Sequence, residues 1–384
     1  MKKKAKKYVF GVFLSSILLS GCGGGGGGSS SKPSPGPGPG NAVNGQFSGQ
    51  VFIGGEDEGW SLDLESGSYT RIQGVDWEGQ SGNYPSIADF SAYPIAYNGA
   101  EILAKIENCQ RSASRPSRYD DCLVRYSNSG EQLASPSGSI FQDIVGKPKL
   151  SRDGQYIAFF YDEWGSSSPA ELSLIITDLN LSIISAAPVL VSGSYTVSSP
   201  SLTWLPDNRL VYTFDESIYL ADAPLDATST VLATFAVAEG EPRQITASPD
   251  GNQLAFILLT DSSFRTATAT PWVIDTNGTN RQGLRQLARV DDDLRPSFRF
   301  PTWSPDGTQI LVTHGRVAAA NNIDLGLQGG GYIIPAASNA LVLDDDDPSI
   351  HRVRSFFGTT SGLANPELTT NFDIDDGPIA WLPN

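Results

Sequence analysis

Aspartate recurs in this sequence in patterns that could supply acids, bases or cation ligands. Groups of carboxylates are the ligands that Ca²⁺ prefers, and paired carboxylates cleave glycosides. One short motif places aspartate before glycine or asparagine in four copies, at Asp153–Gly154, Asp207–Asn208, Asp250–Gly251 and Asp306–Gly307. Three denser acidic clusters follow, at Asp291–Asp293, at Asp344–Asp347, and at Asp373, Asp375 and Asp376.

The dense clusters lack the pattern of a dedicated calcium loop. None has the twelve-residue spacing of an EF-hand with its central glycine and final glutamate. We interpret them as solvated loops and expect no cofactor, and Asp344–Asp347 would be the first place to look for Ca²⁺. The chain has two histidines, His314 and His351, and it lacks the Gly-x-Ser-x-Gly, Walker A and His-Glu-x-x-His motifs. The sequence therefore favours a protein without catalysis of its own.

The recurring aspartate motif has a structural interpretation. In Ser-Pro-Asp-Gly, the proline presets φ, the aspartate bonds a backbone N–H two residues on, and the glycine accepts positive φ. On this interpretation the motif residues form structural turns: Asp153, Gly154, Asp207, Asp250, Gly251, Asp306 and Gly307. We expect such turns to be spread around a ring rather than to converge on one point.

The motif also marks a repeat. Successive aspartates of the motif are 54, 43 and 56 residues apart, and each is followed by short runs rich in β-branched and aromatic residues. Tyr156–Asp162 and Gln253–Leu259 are two such runs. Counting the strand that leads into the motif, each unit has four short strands, which is typical of a propeller blade. With a degenerate upstream copy and a partial final copy, the chain has about six units.

The repeat resembles a known family in residues 271–314. There the sequence PWVIDTNGTNRQGLRQLA is followed by FPTWSPDGTQILV, which resembles the repeat of TolB-type propellers, also called WD40-like or PD40 repeats. The resemblance implies an all-β fold with about six blades over residues 47–384. Because the last copy, Trp381–Asn384, holds only the start of a unit, we expect this C-terminal strand to pair with the N-terminal strands of the first blade.

The first 46 residues read as an export and anchoring segment. Five lysines precede an apolar stretch too short to span a bilayer, and this ends in Leu19–Cys22, LSGC. LSGC resembles the lipobox of bacterial lipoproteins, which implies a signal peptide over 1–21 and lipidation of Cys22. Residues 22–46, rich in Gly, Ser and Pro, would be a tether. The resemblance predicts a palmitate-bearing anchor in the cell envelope; in a Gram-negative source it favours the outer membrane, facing the periplasm or the cell surface.

The two remaining cysteines, Cys109 and Cys122, are thirteen positions apart in a polar segment. In an exported protein this spacing favours one disulfide, with two free thiols as the alternative. The net charge of −16 argues against nucleic acid as a partner, and we expect a monomer. The predicted function is a binding or scaffold module for a protein, peptide or glycan. The alternative is a propeller-type hydrolase, a lactonase or glycan-active enzyme with channel carboxylates that could also hold calcium.

Overall fold

The computed structural model describes most of the predicted propeller region. The described residues are 47–55, 58–65, 69–71, 92–97, 101–111, 119–127, 133, 140–141, 144–162, 172–189, 200–260, 268–277, 282–289, 297–315, 331–342, 351–353 and 377–383. The predicted signal peptide, Cys22, the predicted tether and the three acidic clusters lie outside these residues. Within them every regular element is a strand, and none is a helix long and apolar enough to cross a bilayer.

The strands form antiparallel groups of four, which we number as blades in chain order. Blade 1 contains β26 (Gly377–Leu382), β1 (Gln50–Gly55), β2 (Glu58–Asp63) and β3 (Tyr69–Arg71). Blade 2 contains β4 (Ala92–Tyr97), β5 (Glu101–Arg111), β6 (Tyr119–Ser127) and β7 (Ile140–Phe141). Blade 3 contains β8 (Ile144–Leu150), β9 (Tyr156–Asp162), β10 (Leu172–Asp178) and β11 (Ile183–Val189).

The second half of the chain continues the same pattern. Blade 4 contains β12 (Ser201–Trp204), β13 (Leu210–Phe214), β14 (Ser217–Ala221) and β15 (Ser229–Thr234). Blade 5 contains β16 (Glu241–Ala247), β17 (Gln253–Thr260), β18 (Thr268–Asp275) and β19 (Arg285–Gln286). Blade 6 contains β21 (Ser297–Trp303), β22 (Gln309–Gly315), β23 (Gly331–Pro335) and β25 (His351–Val353).

Blades 5 and 6 are joined into one larger sheet. A single parallel bridge between Ala269 and Ser297 connects them, so the strands form five sheets of four or more strands but six blades. Two short strands, β20 (Ala288–Arg289) and β24 (Leu341–Val342), pair in parallel beside this junction.

The first strand of each blade lies at the centre of a closed ring. Strands β26, β4, β8, β12, β16 and β21 each contact the next, and β21 contacts β26 again. Closure within blade 1 comes from the pairing of β26 with β1, where Gln50 faces Leu382 and Val51 faces Trp381. The predicted all-β propeller, closed by its C-terminal strand, is confirmed.

The core lies between the blades because each sheet is covered on both faces. All five residues of β13 are buried, and their side chains alternate between the two neighbouring blades. Tyr212 packs edge-on against Phe160 of blade 3, with ring centroids 5.4 Å apart. Between blades 4 and 5, Phe235 and Phe256 repeat this geometry at 5.6 Å. Inter-blade aromatic packing therefore fixes the angle at which successive blades meet.

The inner strands present unpaired edges to a central channel, and polar side chains from the neighbouring blades satisfy them. The N–H of Ile245 donates to Ser201 Oγ at 3.0 Å, and that of Ala247 donates to Thr203 Oγ1 at 3.2 Å. The indole of Trp204 donates to the Lys149 carbonyl at 3.1 Å. Backbone groups that would otherwise be orphaned are thus bonded within the ring.

Candidate functional site

The motif turns connect the first and second strands of their blades and share one hydrogen-bond pattern. In the Asp153, Asp250 and Asp306 copies, the motif serine donates Oγ–H to Asp Oδ1 at 2.5–2.6 Å. The same Oδ1 accepts the backbone N–H two residues on at 3.0 Å. Glycine follows at φ of 69°, 75° and 72° in these three copies. The fourth copy uses Asn208 at φ 62° instead, and Asp207 forms an ion pair with Arg209 at 2.7 Å.

These bonds keep the turn carboxylates ionised. The Ser248 hydroxyl and then the Asn252 backbone N–H lower the pKa of Asp250, and Ser304 and Thr308 do the same for the pKa of Asp306. A carboxylate whose oxygens already accept local bonds, and whose pKa is lowered, is poorly suited to donate a proton at neutral pH. The geometry agrees with a role in closing the turns.

The turns lie closer to one another than the sequence predicts. Asn208 Nδ2 donates to Asp153 Oδ2 at 3.1 Å, which links the turns of blades 3 and 4. Arg152 reaches from the blade 3 turn to blade 5, where its guanidinium donates to the carbonyls of Ala247 at 3.0 Å and of Ser248 and Pro249 at 2.6 Å. The turns therefore form a connected rim on one face of the ring, although each carboxylate remains engaged in local bonds.

Inside the channel, bulges in three inner strands change where side chains point. Register shifts occur between Val145 and Lys149 in β8, between Arg243 and Thr246 in β16, and between Arg299 and Thr302 in β21. A left-handed residue lies within each bulge: Gly146 at φ 73°, Gln244 at φ 53° and Phe300 at φ 50°. For the two non-glycine residues this conformation costs on the order of 1 kcal/mol each, and such strain clusters where side chains must be aimed at a target.

The bulges bring Lys147 and Phe300 together across the channel. Lys147 Nζ lies 5.3 Å from the centroid of the Phe300 ring. Lys147 belongs to blade 3 and Phe300 to blade 6, on opposite sides of a six-membered ring, so this cation–π contact spans the channel. Gln244 supports Phe300 from blade 5, because its Oε1 accepts the Phe300 N–H at 2.8 Å.

Lys149 lies two residues further along the same wall. Desolvation, followed by the positive charge of Lys147, lowers the pKa of Lys149 to about 8. Yet Lys149 is also partly exposed to solvent. Strong desolvation together with partial exposure suits the wall of a narrow channel better than either the core or the outer surface. Within the described residues, Lys149 Nζ makes no hydrogen bond or ion pair. It is therefore a desolvated cation on the channel wall, and the charge of Lys147 further disfavours its ammonium.

Sequence reasoning missed these lysines, although their distribution is unusual. Of nine lysines, six precede residue 33, and the other three are Lys105, Lys147 and Lys149. Two of the propeller's three lysines thus lie on one inner strand. By contrast, Glu241 is the one carboxylate on the six inner strands that the structure describes, and it pairs with Arg243 at 2.9 Å. No group of metal-ligating side chains occurs among the described residues.

The other residues singled out from the sequence lie elsewhere. His314 is on β22 and His351 on β25, so neither is on an inner strand. Cys109 and Cys122 lie on the paired strands β5 and β6, whose register places Ile106 opposite Cys122 and Gln110 opposite Asp120. Neither the histidines nor the cysteines lie on an inner strand.

Solved structures include proteins of similar fold. TolB from Acinetobacter baumannii is 14% identical, with a TM-score of 0.44 over 78% of this chain and 67% of its own. A putative TolB from Agrobacterium tumefaciens is 16% identical, with a TM-score of 0.43 over 76% and 87% of the two chains. An oligogalacturonate lyase in complex with manganese is 13% identical, with a TM-score of 0.41 over 81% and 74%.

No protein-family model matches the chain, and no curated protein matches it in sequence. The fold assignment rests on the molecule's own strand pairing and ring closure. By that pairing the chain is an all-β propeller of six blades.

Proposed function

We propose that the chain is a binding or scaffold module of the cell envelope, without catalysis of its own, which holds a protein, peptide or glycan ligand at the channel. The observation that carries this proposal is the set of side chains on the inner strands that line the channel. Lys147, Lys149 and Phe300 offer charge and an aromatic face, which suit recognition, and Phe300 is held in a strained left-handed backbone conformation.

The competing function, a hydrolase with channel carboxylates, has less support. Glycoside cleavage requires two carboxyl groups roughly 5–9 Å apart on either side of the bond. On the described inner strands the single carboxylate, Glu241, already pairs with Arg243. The turn aspartates are tied to their own serines and backbone N–H groups.

We further propose that Cys22 carries the lipid anchor and that residues 22–46 tether the propeller of residues 47–384 to the membrane, with the outer membrane favoured. The LSGC sequence supports the anchor. The proposal includes a disulfide between Cys109 and Cys122, supported by their placement on paired strands and by the burial of Cys122, which is 6% exposed. Cys22→Ala should abolish palmitate labelling and release the protein from the membrane fraction; retention of both would overturn the anchor.

Crosslinking in intact cells tests the binding role. A photoreactive benzoylphenylalanine at position 300 should give a discrete adduct, because Phe300 faces the channel. The matched control carries the same group at Val237, an exposed position 80% accessible on a loop outside the channel, and should not give that adduct. Hydrolysis of a lactone or oligosaccharide panel by the purified protein would instead establish the enzyme alternative.

A further inference from the structure

We propose that the blade 3 wall of the channel binds an anionic group, a carboxylate or a phosphate, through the ammonium group of Lys149. This inference rests on the proposed binding role of the channel and specifies the chemical class of its ligand. It concerns a site inside the ring, separate from the turn aspartates and the lipid anchor.

Charge segregation is the first support. The protein carries a net charge of −16, yet lysine within the propeller is confined to Lys105, Lys147 and Lys149. Lys147 and Lys149 lie on one strand, where the positive charge of Lys147 disfavours that of Lys149. An anion bound at Lys149 would offset this repulsion, and desolvation by the channel walls would strengthen the attraction.

Among the side chains that the structure describes, the elements packed against β8 bring no carboxylate to Lys149. Strand β12, with residues SLTW, has no charged side chain. On β5, Lys105 donates its Nζ to the Ile144 carbonyl at 3.1 Å, and the neighbouring Glu101 forms an ion pair with Arg125 at 2.6 Å. In the turn after β8, Asp153 accepts from Ser151 and Asn208. The described charged groups around β8 are therefore either cations or carboxylates engaged with other partners.

Several of the channel's other donors are committed to the fold. The N–H groups of Ile245, Ala247 and Phe300 are bonded to side chains of neighbouring blades, and the Arg152 guanidinium is bonded to blade 5 carbonyls. Lys149 Nζ has three N–H donors and no described acceptor, so it can bind carboxylate or phosphate oxygens without breaking an existing bond. The Phe300 ring stands across from this wall and would border the bound anion.

Calorimetric titration of the purified full chain with inorganic phosphate and with succinate, near neutral pH and at low salt, tests the site. We expect binding of at least one anion, and the stronger of the two identifies the ligand group as phosphate or carboxylate. Lys149→Gln should weaken that binding by roughly tenfold or more, the usual worth of a charged hydrogen bond. Arg209→Gln removes one positive charge from the rim, outside the channel, and should change affinity by less than about twofold.

Lysine labelling of the wild-type chain gives a readout that requires no variant to fold. An acetylating reagent near pH 8 should modify Lys149 faster than Lys105, whose ammonium is hydrogen-bonded, and the bound anion should protect Lys149. Failure of both anions to bind at about 10 mM, where a millimolar site would be mostly filled, overturns the anion site. Undiminished binding by Lys149→Gln, or unprotected Lys149, also overturns it. The broader binding role is tested separately by the crosslinking experiment at position 300, so failure of the anion site alone does not overturn it.

Discussion

Lys149→Met is expected to stabilise the protein near neutral pH. The channel lowers the pKa of Lys149 from 10.5 to about 8, which means that the folded state disfavours the charged ammonium. Each pKa unit corresponds to 1.36 kcal/mol, so the charged form is destabilised by about 3 kcal/mol. Methionine has a similar length and carries no charge, and its flexible side chain adapts to irregular cavities. The variant should recover much of this free energy of unfolding.

The pH dependence fixes the sign of the effect. Because the folded-state pKa of Lys149 is below its unfolded value, the unfolded state binds more protons between pH 8 and 10.5. Wild-type stability should therefore rise with pH across that window, whereas below pH 8 the whole penalty is present. Lys149→Met lacks this titration. Its advantage should fall from about 3 kcal/mol near pH 7 to about half of that near pH 9.5.

Urea unfolding followed by tryptophan fluorescence measures both quantities, since the chain has seven tryptophans. Arg209→Met is the control, because it also removes one positive charge but from an exposed ion pair, and should change stability by less than about 1 kcal/mol. A Lys149→Met variant no more stable than wild type near pH 7 would refute the reasoning. So would an advantage that does not diminish with pH, since the lysine would then be solvated as in the unfolded chain.

Three further parts of the fold give measurable outcomes. Trp381→Ala should lower the free energy of unfolding by about 3–5 kcal/mol, because this buried ring and its 3.1 Å bond to the Ser48 carbonyl hold the closing strand; a loss below about 1 kcal/mol would contradict closure there. Non-reducing peptide mapping should join Cys109 to Cys122, and alkylation of both without reduction would exclude that disulfide. Asp250→Asn should show a smaller drop in Tm below pH 4 than wild type, since a lowered pKa contributes stability that is lost as pH falls; an identical drop would separate this carboxylate from acid unfolding.

The fold was predictable because its signals are local. The repeat is built from a Pro-Asp-Gly turn, a following apolar run and a tryptophan before the turn. Each depends only on neighbours within a few residues, so each copy of the repeat can be recognised in the sequence. The tryptophans before two of these turns do contact the adjacent blade, because Trp204 donates to the Lys149 carbonyl and Trp303 donates to the Thr246 carbonyl, the latter at 3.3 Å. Ring closure followed from the partial final copy, because an inner strand and an incomplete blade complement each other.

The channel site was not predictable, because it exists only after closure. Lys147 and Phe300 belong to blades on opposite sides of the ring, and no periodicity in the sequence relates them. Their approach depends on bulges, which come from the pairing of β8 with β9 and of β21 with β22. Residues such as Gln244 and Phe300 are poor candidates for a left-handed conformation on propensity alone, so local reasoning places them in ordinary strands. The scarcity of lysine was the one available signal.

The channel separates groups that serve the fold from groups left for a ligand. Closing six blades leaves six inner edges, and uncharged side chains such as Ser201, Thr203 and Trp204 satisfy backbone groups on those edges. These residues are committed, because removing one would orphan a backbone group at a cost of about 1–3 kcal/mol. Lys149 has no such commitment among the described residues, and its desolvation opposes folding. Because Lys149 destabilises the folded state and gains no bond within it, its position in the channel is best explained by the binding of a ligand.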